Sequence, residues 1–461
     1  MVFSSVIFIC FFLPLVFVLY YFAKSVKIQN LILCLFSIVF YAYGEPLFVI
    51  YLIFSVFVHY LTLKNGTVTK LKVAMLTTLD IGVLFVFKYL NFVTDTVCTL
   101  VNAEPVKLPI ALPIGISFFT FQIISYTVDC YRNKDFTKIS FTNLLLYISF
   151  FPQLIAGPIV KFHDIEAQLY KREKNLTLAA DGAVRFIIGL SKKIIIADTL
   201  AVAVDNIFNF KEEYISFPVA WVAAIAYTMQ IYFDFSGYSD MAIGLGKMFG
   251  FTFLENFDYP FASNNIREFW RRWHISLSSW FKDYVYIPLG GSRKGKTRTI
   301  LNRLFVFLLT GVWHGANFTF VLWGIYHGIL CMLEELGVIP TKKIKNKLIL
   351  RIYMFCTVAI GFLVFRAENL SVAFTFVKAA ICGYTVNPQG ISLLLTEFSP
   401  FFTAVLAAAL FLSFFGNKLK EKFSDNKIIK GVKYPSALLL FAASIMLIIS
   451  SSYSPFIYFQ F

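Results

Sequence analysis

The sequence predicts an all-α, polytopic membrane protein with roughly 10–13 transmembrane or re-entrant helices and amphipathic helices at the interface. Three observations predict it. Of 461 residues, 58% are hydrophobic and only 15% charged, where soluble domains carry about 25% charged residues. Phe alone contributes 55 residues, and mean hydropathy is +0.73. Apolar stretches long enough to cross a bilayer, or nearly so, recur along the whole chain. A water-soluble globule cannot hide that much apolar surface, so lipid is the solvent for most of it.

The stretches fall at about 4–23, 30–43, 46–63, 73–90, 109–128, 141–160, 184–205, 216–235, 303–312 running into 318–336, 348–365, 399–415 and 434–452. The first lies in MVFSSVIFICFFLPLVFVLYYFA (1–23), which has no basic leading region and no small-residue cleavage site. It reads as a retained span. Basic clusters such as Lys64/Lys70/Lys72, 264–298, Lys342–Arg351 and Lys418–Lys433 alternate with the basic-poor loops 91–108, 206–215 and 366–398. The positive-inside rule then places the N-terminus outside. One pair of clusters, 132–138 and 161–174, flanks a single apolar segment that contains FFPQLIAGPIV. Two prolines and a glycine there predict a re-entrant hairpin. The formal charge of +15, from 41 Lys and Arg against 26 Asp and Glu, fits loops beside anionic lipid and not nucleic acid. The seven cysteines are an odd number without a CxxC pair, which predicts buried free thiols and no metal site. No repeat divides the chain, so 1–461 reads as a single domain.

The character changes over 264–298. Eight basic residues, Arg267, Arg271, Arg272, Lys282, Arg293, Lys294, Lys296 and Arg298, interleave with Trp270, Trp273, Trp280, Phe281 and Tyr284. That mixture predicts an amphipathic helix in the headgroup layer with the tryptophans as lipid anchors. It also suits the entrance for an anionic donor.

Five histidines are the candidates for chemistry. His59, at the end of an apolar run, and His163, in KFHDIE, read as structural or solvated. His314 lies within LTGVWHGANFTFVLWGIYHG, where an imidazole costs free energy unless it faces protein or a wet cavity. An ionisable residue at membrane depth is a functional candidate by default. Gly311 allows close backbone approach, Gly315 and Ala316 remove bulk, Trp313 supplies a wall and Asn317 offers a polar partner that fixes a tautomer. His327 would stand about 20 Å from His314 along one straight helix, and reads as a packing residue. His274, beside Arg271 and Arg272, should resist protonation because like charges disfavour the imidazolium; it serves either as a hydrogen-bond partner for substrate or structurally. Asp234 is a candidate polar contact or a hydrogen-bonded structural carboxylate. GGSRKGKT (290–297) matches the phosphate-loop pattern at every position, yet no preceding strand or α/β domain supports that reading.

REFWRRWHISLSSWFKDYVYIPLGGSR (267–293) and GVWHGANFTFVLWGIYHG (311–328) resemble the signature of membrane-bound O-acyltransferases, bacterial branch, which includes alginate O-acetylation and teichoic-acid D-alanyl transfer proteins. YTMQIYFDFSGYSDMAIGLGKMFGF (227–251), LPIGISFFTFQIISYTVDCYR (112–132), FFPQLIAGPIV (150–160) and VFRAENL (364–370) extend the resemblance over most of the chain. It implies helices around a central tunnel, with a catalytic core at about 110–370 and peripheral spans at 1–109 and 371–461. His314 matches the family's catalytic histidine, and His274 its second conserved site. Trp313, Asn317, Arg267, Arg271, Arg272, Ser276, Ser278, Lys282 and Asp234 join them as the expected substrate-binding set, with no metal. The implied reaction takes an acyl group, acetyl first, from a cytoplasmic thioester to a hydroxyl of an extracellular glycan. The donor is acetyl-CoA or a carrier phosphopantetheine thioester, with no bound cofactor. Expected partners are membrane lipid and an esterase-like periplasmic or extracellular acetyltransferase, with no nucleic acid. The expected location is the plasma membrane, crossed several times. D-alanyl transfer, a transporter or flippase, and an inactive scaffold are the alternatives.

Overall fold

The computed structural model describes residues 1–64, 66–104, 107–383, 386–423, 426–450 and 456. Part of the Lys418–Lys433 cluster and the end of the 434–452 stretch lie outside the described residues or side chains. Among the described residues every regular element is helical, and the one β pairing is an isolated bridge between Phe257 and Trp273. The early helices are α1 (Leu13–Phe22), α2 (Val26–Ala42), α3 (Phe48–Leu63), α4 (Lys70–Leu100) and α5 (Ile116–Arg132). Next come α6 (Phe141–Ser149), α7 (Phe151–Leu154), α8 (Phe162–Tyr170), α9 (Leu176–Ser191), α10 (Asp198–Phe208) and α11 (Phe217–Met248). The middle of the chain supplies α12 (Ile266–Arg272), α13 (Ile275–Phe281), α14 (Gly295–His314) and α15 (Phe318–Leu336). The last five are α16 (Lys347–Arg366), α17 (Leu370–Cys382), α18 (Pro388–Glu397), α19 (Pro400–Phe423) and α20 (Lys427–Ser450).

Among the described residues, five helices are long and apolar enough to cross a membrane: α4, α15, α16, α19 and residues 431–450 of α20. Four shorter apolar ones are Phe8–Phe22, Val26–Ala42, Phe48–Leu63 and Leu370–Cys382. Other predicted stretches are helical but carry more polar residues because protein, not lipid, surrounds them. α5 buries Thr120, Gln122, Ser125, Thr127 and Asp129 along with its phenylalanines. A helix packed inside protein need not match the hydrocarbon around it.

The chain forms two compact units, residues 1–188 with 238–255, and residues 189–237 with 256–461. In the first, Phe3, Phe8, Phe12, Phe40 and Phe151 form a ring cluster with centroids 5.0–6.1 Å apart. The segment predicted to be re-entrant breaks as expected. α6 is nine residues long, about 13.5 Å, and ends at Phe150 before the four-residue α7. Tyr147 then ties the irregular backbone by donating from its hydroxyl to the Val160 carbonyl at 2.9 Å. His59 bonds Asp80 at 3.2 Å and the Ser55 carbonyl at 2.9 Å, while His163 pairs with Asp129 at 2.8 Å. All seven cysteines are free thiols, but only Cys34, Cys130 and Cys331 are buried. Cys10 and Cys382 lie exposed on apolar helices, where the protein surface itself is hydrophobic.

In the second unit the apolar segment around His314 is not one helix. α14 stops at His314, Gly315 is extended, and Asn317 caps α15 by accepting from Thr319 N at 3.0 Å. The two helices fold back on each other. A Cβ on Gly311 would lie 2.4 Å from the Phe320 carbonyl oxygen, and one on Gly324 2.5 Å from that of Phe307. Only paired glycines permit backbones this close. The hairpin also overturns the separation expected of a single helix: His314 and His327 both pack on the Trp323 ring, each with centroids 5.2 Å away.

Replacing Gly311 by Ala should force the hairpin apart and cost roughly 1–3 kcal/mol, seen as a lower melting temperature of the solubilised protein. Gly82→Ala is the control. Nothing lies within 4 Å of a Cβ there, so stability should hold or rise by up to about 1 kcal/mol.

Candidate active site

The expected amphipathic helix over 264–298 is broken into α12, α13 and a π-helical turn at Lys282–Tyr286. The first break is at His274, whose backbone is left-handed at φ 48°, ψ 53°. For a residue with a Cβ this conformation is strained by about 1–3 kcal/mol and persists only where its surroundings impose it. Residues 256–258 impose it by running alongside. Asp258 N donates to the Arg272 carbonyl at 3.0 Å, and Ile275 N to that of Asn256 at 2.9 Å. The tryptophans assigned as lipid anchors turn inward: Trp273 and Trp280 are buried, and Trp273 joins the aromatic core of this unit.

Where α12, α13, α14 and α15 meet, they enclose a cavity of about 210 Å³. Its polar lining is His274, His314, Arg271, Ser278 and Thr310, and the rest is largely aromatic, including Trp270, Trp323, Phe281 and Phe307. His274 and His314 are 3% and 4% exposed. The His314 ring is gripped edge-to-face by Trp323 and by Phe365, at 5.2 and 5.1 Å. Trp313 stands beside both histidines, its ring 5.0 Å from His314 and 6.1 Å from His274.

Asn256 sets the state of His274. Its Oδ1 accepts from Ser276 N at 3.3 Å, Ser276 Oγ at 2.8 Å and His274 Nδ1 at 3.1 Å. A backbone N–H can only donate, so the oxygen must face Ser276, and Nδ1 of the neutral ring then carries the proton. Nε2 is left as the acceptor. Burial pushes the imidazole down to about 3 from its usual 6.5. The expected resistance to protonation is present, but desolvation causes it and not the flanking arginines.

Several residues expected at the substrate lie outside the cavity lining. Arg272 pairs with Glu268 at 3.1 Å and Asp258 at 3.2 Å. Arg267 faces Glu334 at 3.8 Å. Asp234 forms a buried ion pair with Lys193 at 2.8 Å. Ser276 holds Asn256, and Lys282 is exposed on the π-turn. Asn317, expected to fix the tautomer of His314, instead caps α15 and donates from Nδ2 to the Glu368 carbonyl at 2.7 Å. Basic spacing along a chain does not say which face each side chain takes. Asn256, Thr310 and the inward role of Trp270 were missed; for Asn256, in ENFDYP, no local signal marks it.

The model of one family, described as MBOAT, membrane-bound O-acyltransferase family, matches residues 3–376. The chain belongs to the membrane-bound O-acyltransferase family. It is 39% identical to a probable alginate O-acetylase AlgI of Pseudomonas putida, with all of both chains covered. It is 32% identical to a peptidoglycan O-acetyltransferase of Helicobacter pylori, covering 100% of this chain and 98% of the relative. A teichoic acid D-alanyltransferase of Bacillus subtilis is 32% identical over 44% of this chain and 53% of its own length. This membrane-bound O-acyltransferase therefore carries its two central histidines in one cavity, on separate helical segments.

The lowered pKa of His274 makes stability depend on pH. A histidine with a lowered folded pKa leaves the unfolded state holding more protons, so stability rises with pH from about 3 to about 6.5 and is fully present above that. Melting temperatures of the solubilised protein between pH 4 and 6.5 should climb more steeply for the natural protein than for His274→Gln.

Proposed function

We propose that this enzyme transfers an acetyl group from a cytoplasmic thioester, acetyl-CoA or a carrier phosphopantetheine, to a hydroxyl of an extracellular polysaccharide or other envelope glycan. It acts from the plasma membrane, directly or through a secreted acetyltransferase-like partner. One observation carries the reading: His274 and His314 line the same mostly aromatic cavity. Acyl transfer to a hydroxyl needs a base that takes a proton near neutral pH while water is kept from the thioester. An imidazole in a small aromatic chamber meets both needs.

In this reading His314 accepts the hydroxyl proton as the oxygen attacks the thioester carbonyl. A C–O bond forms, the C–S bond breaks, and the proton passes to the departing thiolate. His274, with Nδ1–H committed to Asn256, accepts a hydrogen bond from substrate through Nε2 and orients it. It does not donate to the oxyanion, since that would need the protonated ring that burial opposes. Among the described residues the indole N–H groups of Trp270 and Trp323 have no hydrogen-bond partner, and their rings line the cavity. They are donors suited to the carbonyl oxygen as it gains charge. Arg271, exposed at the lining, suits a phosphate of the donor.

Acetyl is favoured over D-alanyl because relatives matched end to end are named for O-acetyl transfer, whereas the D-alanyl transferases match over about half of this chain.

Envelope O-acetyl and D-alanyl esters should be measured in the host with the gene intact, deleted, and restored as His314→Ala. Deletion should remove O-acetyl esters. His314→Ala should fail to restore them, a loss of at least about 10²-fold, at normal membrane abundance. Normal ester in the variant would defeat the assignment, and loss of D-alanyl esters instead would move the donor class.

A further inference from the structure

Near the end of α15, Glu334 has a carboxylate with no exposed surface, at the edge of a helix apolar enough to span. An acid so placed is costly unless every oxygen is occupied. Both Glu334 oxygens are occupied. Oε1 accepts from Ile266 N at 2.9 Å and from the Tyr353 hydroxyl at 3.3 Å. Oε2 accepts from Arg267 N at 3.3 Å and faces the Arg267 guanidinium at 3.8 Å.

Those two backbone groups belong to the first turn of α12. The first N–H groups of any helix have no intrahelical acceptor. Here Glu334 takes those of Ile266 and Arg267, and Asn265 Oδ1 takes that of Glu268 at 2.9 Å. The turn is thereby tied to α15, the helix that also carries Trp323. α12 is seven residues long and leads straight into the strained His274. It carries Trp270 and Arg271, both lining the cavity. Removing the carboxylate frees the turn that aims all three.

We propose that Glu334 is a positioning residue for the acyl-transfer reaction, holding α12 so that His274, Trp270 and Arg271 face His314 and Trp323 across the cavity. The proposal rests on the acyl-transfer reading above. Displacing a reacting group by about 1 Å costs on the order of 10²-fold in rate, so the effect should show in activity before it shows in folding.

The test uses the full-length protein in its host, with ester yield normalised to membrane abundance. Five of the six tryptophans, Trp270, Trp273, Trp280, Trp313 and Trp323, lie in the four helices around the cavity or beside them, so acrylamide quenching of purified protein reports their exposure. Glu334→Ala should lower ester yield at least about tenfold and raise quenching at unchanged helicity. Glu334→Gln, which keeps one acceptor oxygen, should recover roughly fivefold of that loss. Tyr353→Phe, which frees the carboxylate on one side, should shift both readings the same way by less. If Glu334→Ala does not reach the membrane, Glu334→Gln and Tyr353→Phe decide: both must fall below the natural yield with raised quenching. Natural yield and quenching in the inserted variants would overturn the proposal, as would equal loss in Ala and Gln variants that follows melting temperature alone. An ester yield insensitive to His314→Ala would instead overturn the acyl-transfer reading itself.

Discussion

A continuous helix in lipid satisfies its own backbone and has no cheap place for a polar side chain; chemistry therefore concentrates where helices stop. Both central histidines obey this constraint. His314 is the last residue of α14, and His274 occupies the left-handed break between α12 and α13. Each break frees backbone groups that something nearby must satisfy. Asn317 caps the restart after His314, Asn256 and its neighbours pair with the backbone around His274, and Glu334 and Asn265 serve the start of α12.

The close glycine contact of α14 and α15 does more than shorten a loop. It folds an apolar segment back so that one indole, Trp323, packs against His314 on one side and His327 on another. The cavity wall and its principal imidazole are thus set by one hairpin. The opposite wall comes from α12 and α13, whose placement depends on hydrogen bonds to buried carboxylate and amide oxygens. One side is held by packing, the other by polar contacts, and the polar side carries the sharper geometric requirement.

Much of the architecture was legible because its cause is compositional. Long apolar runs, the Pro–Gly interruption at 150–160 and the mixed basic and aromatic stretch at 264–298 each predicted a kind of element that the chain forms or a place where it breaks. His314 stood out because an imidazole amid Leu, Val, Trp and Phe demands a reason. What could not be read was direction. Arg267 and Arg271 are one helical turn apart in charge pattern, yet only Arg271 lines the cavity while Arg267 faces Glu334. Glu334, in MLEEL, looks like a solvated acid at the end of a helix; a carboxylate beside the carbonyl end of an apolar helix, where the dipole disfavours it, is the signal that would have found it. Asn256 carries none, because its role depends on two segments meeting.

The two histidines are not interchangeable, because their surroundings differ. His274 sits at the amino end of α13, its Nδ1 proton committed to Asn256 and its charged form suppressed by burial. It is built to stay neutral. His314 ends a twenty-residue helix, at its carbonyl pole, with Trp323 and Phe365 packed edge-to-face on its ring. One ring is fixed by a hydrogen bond through its Nδ1, the other by the aromatic rings packed around it.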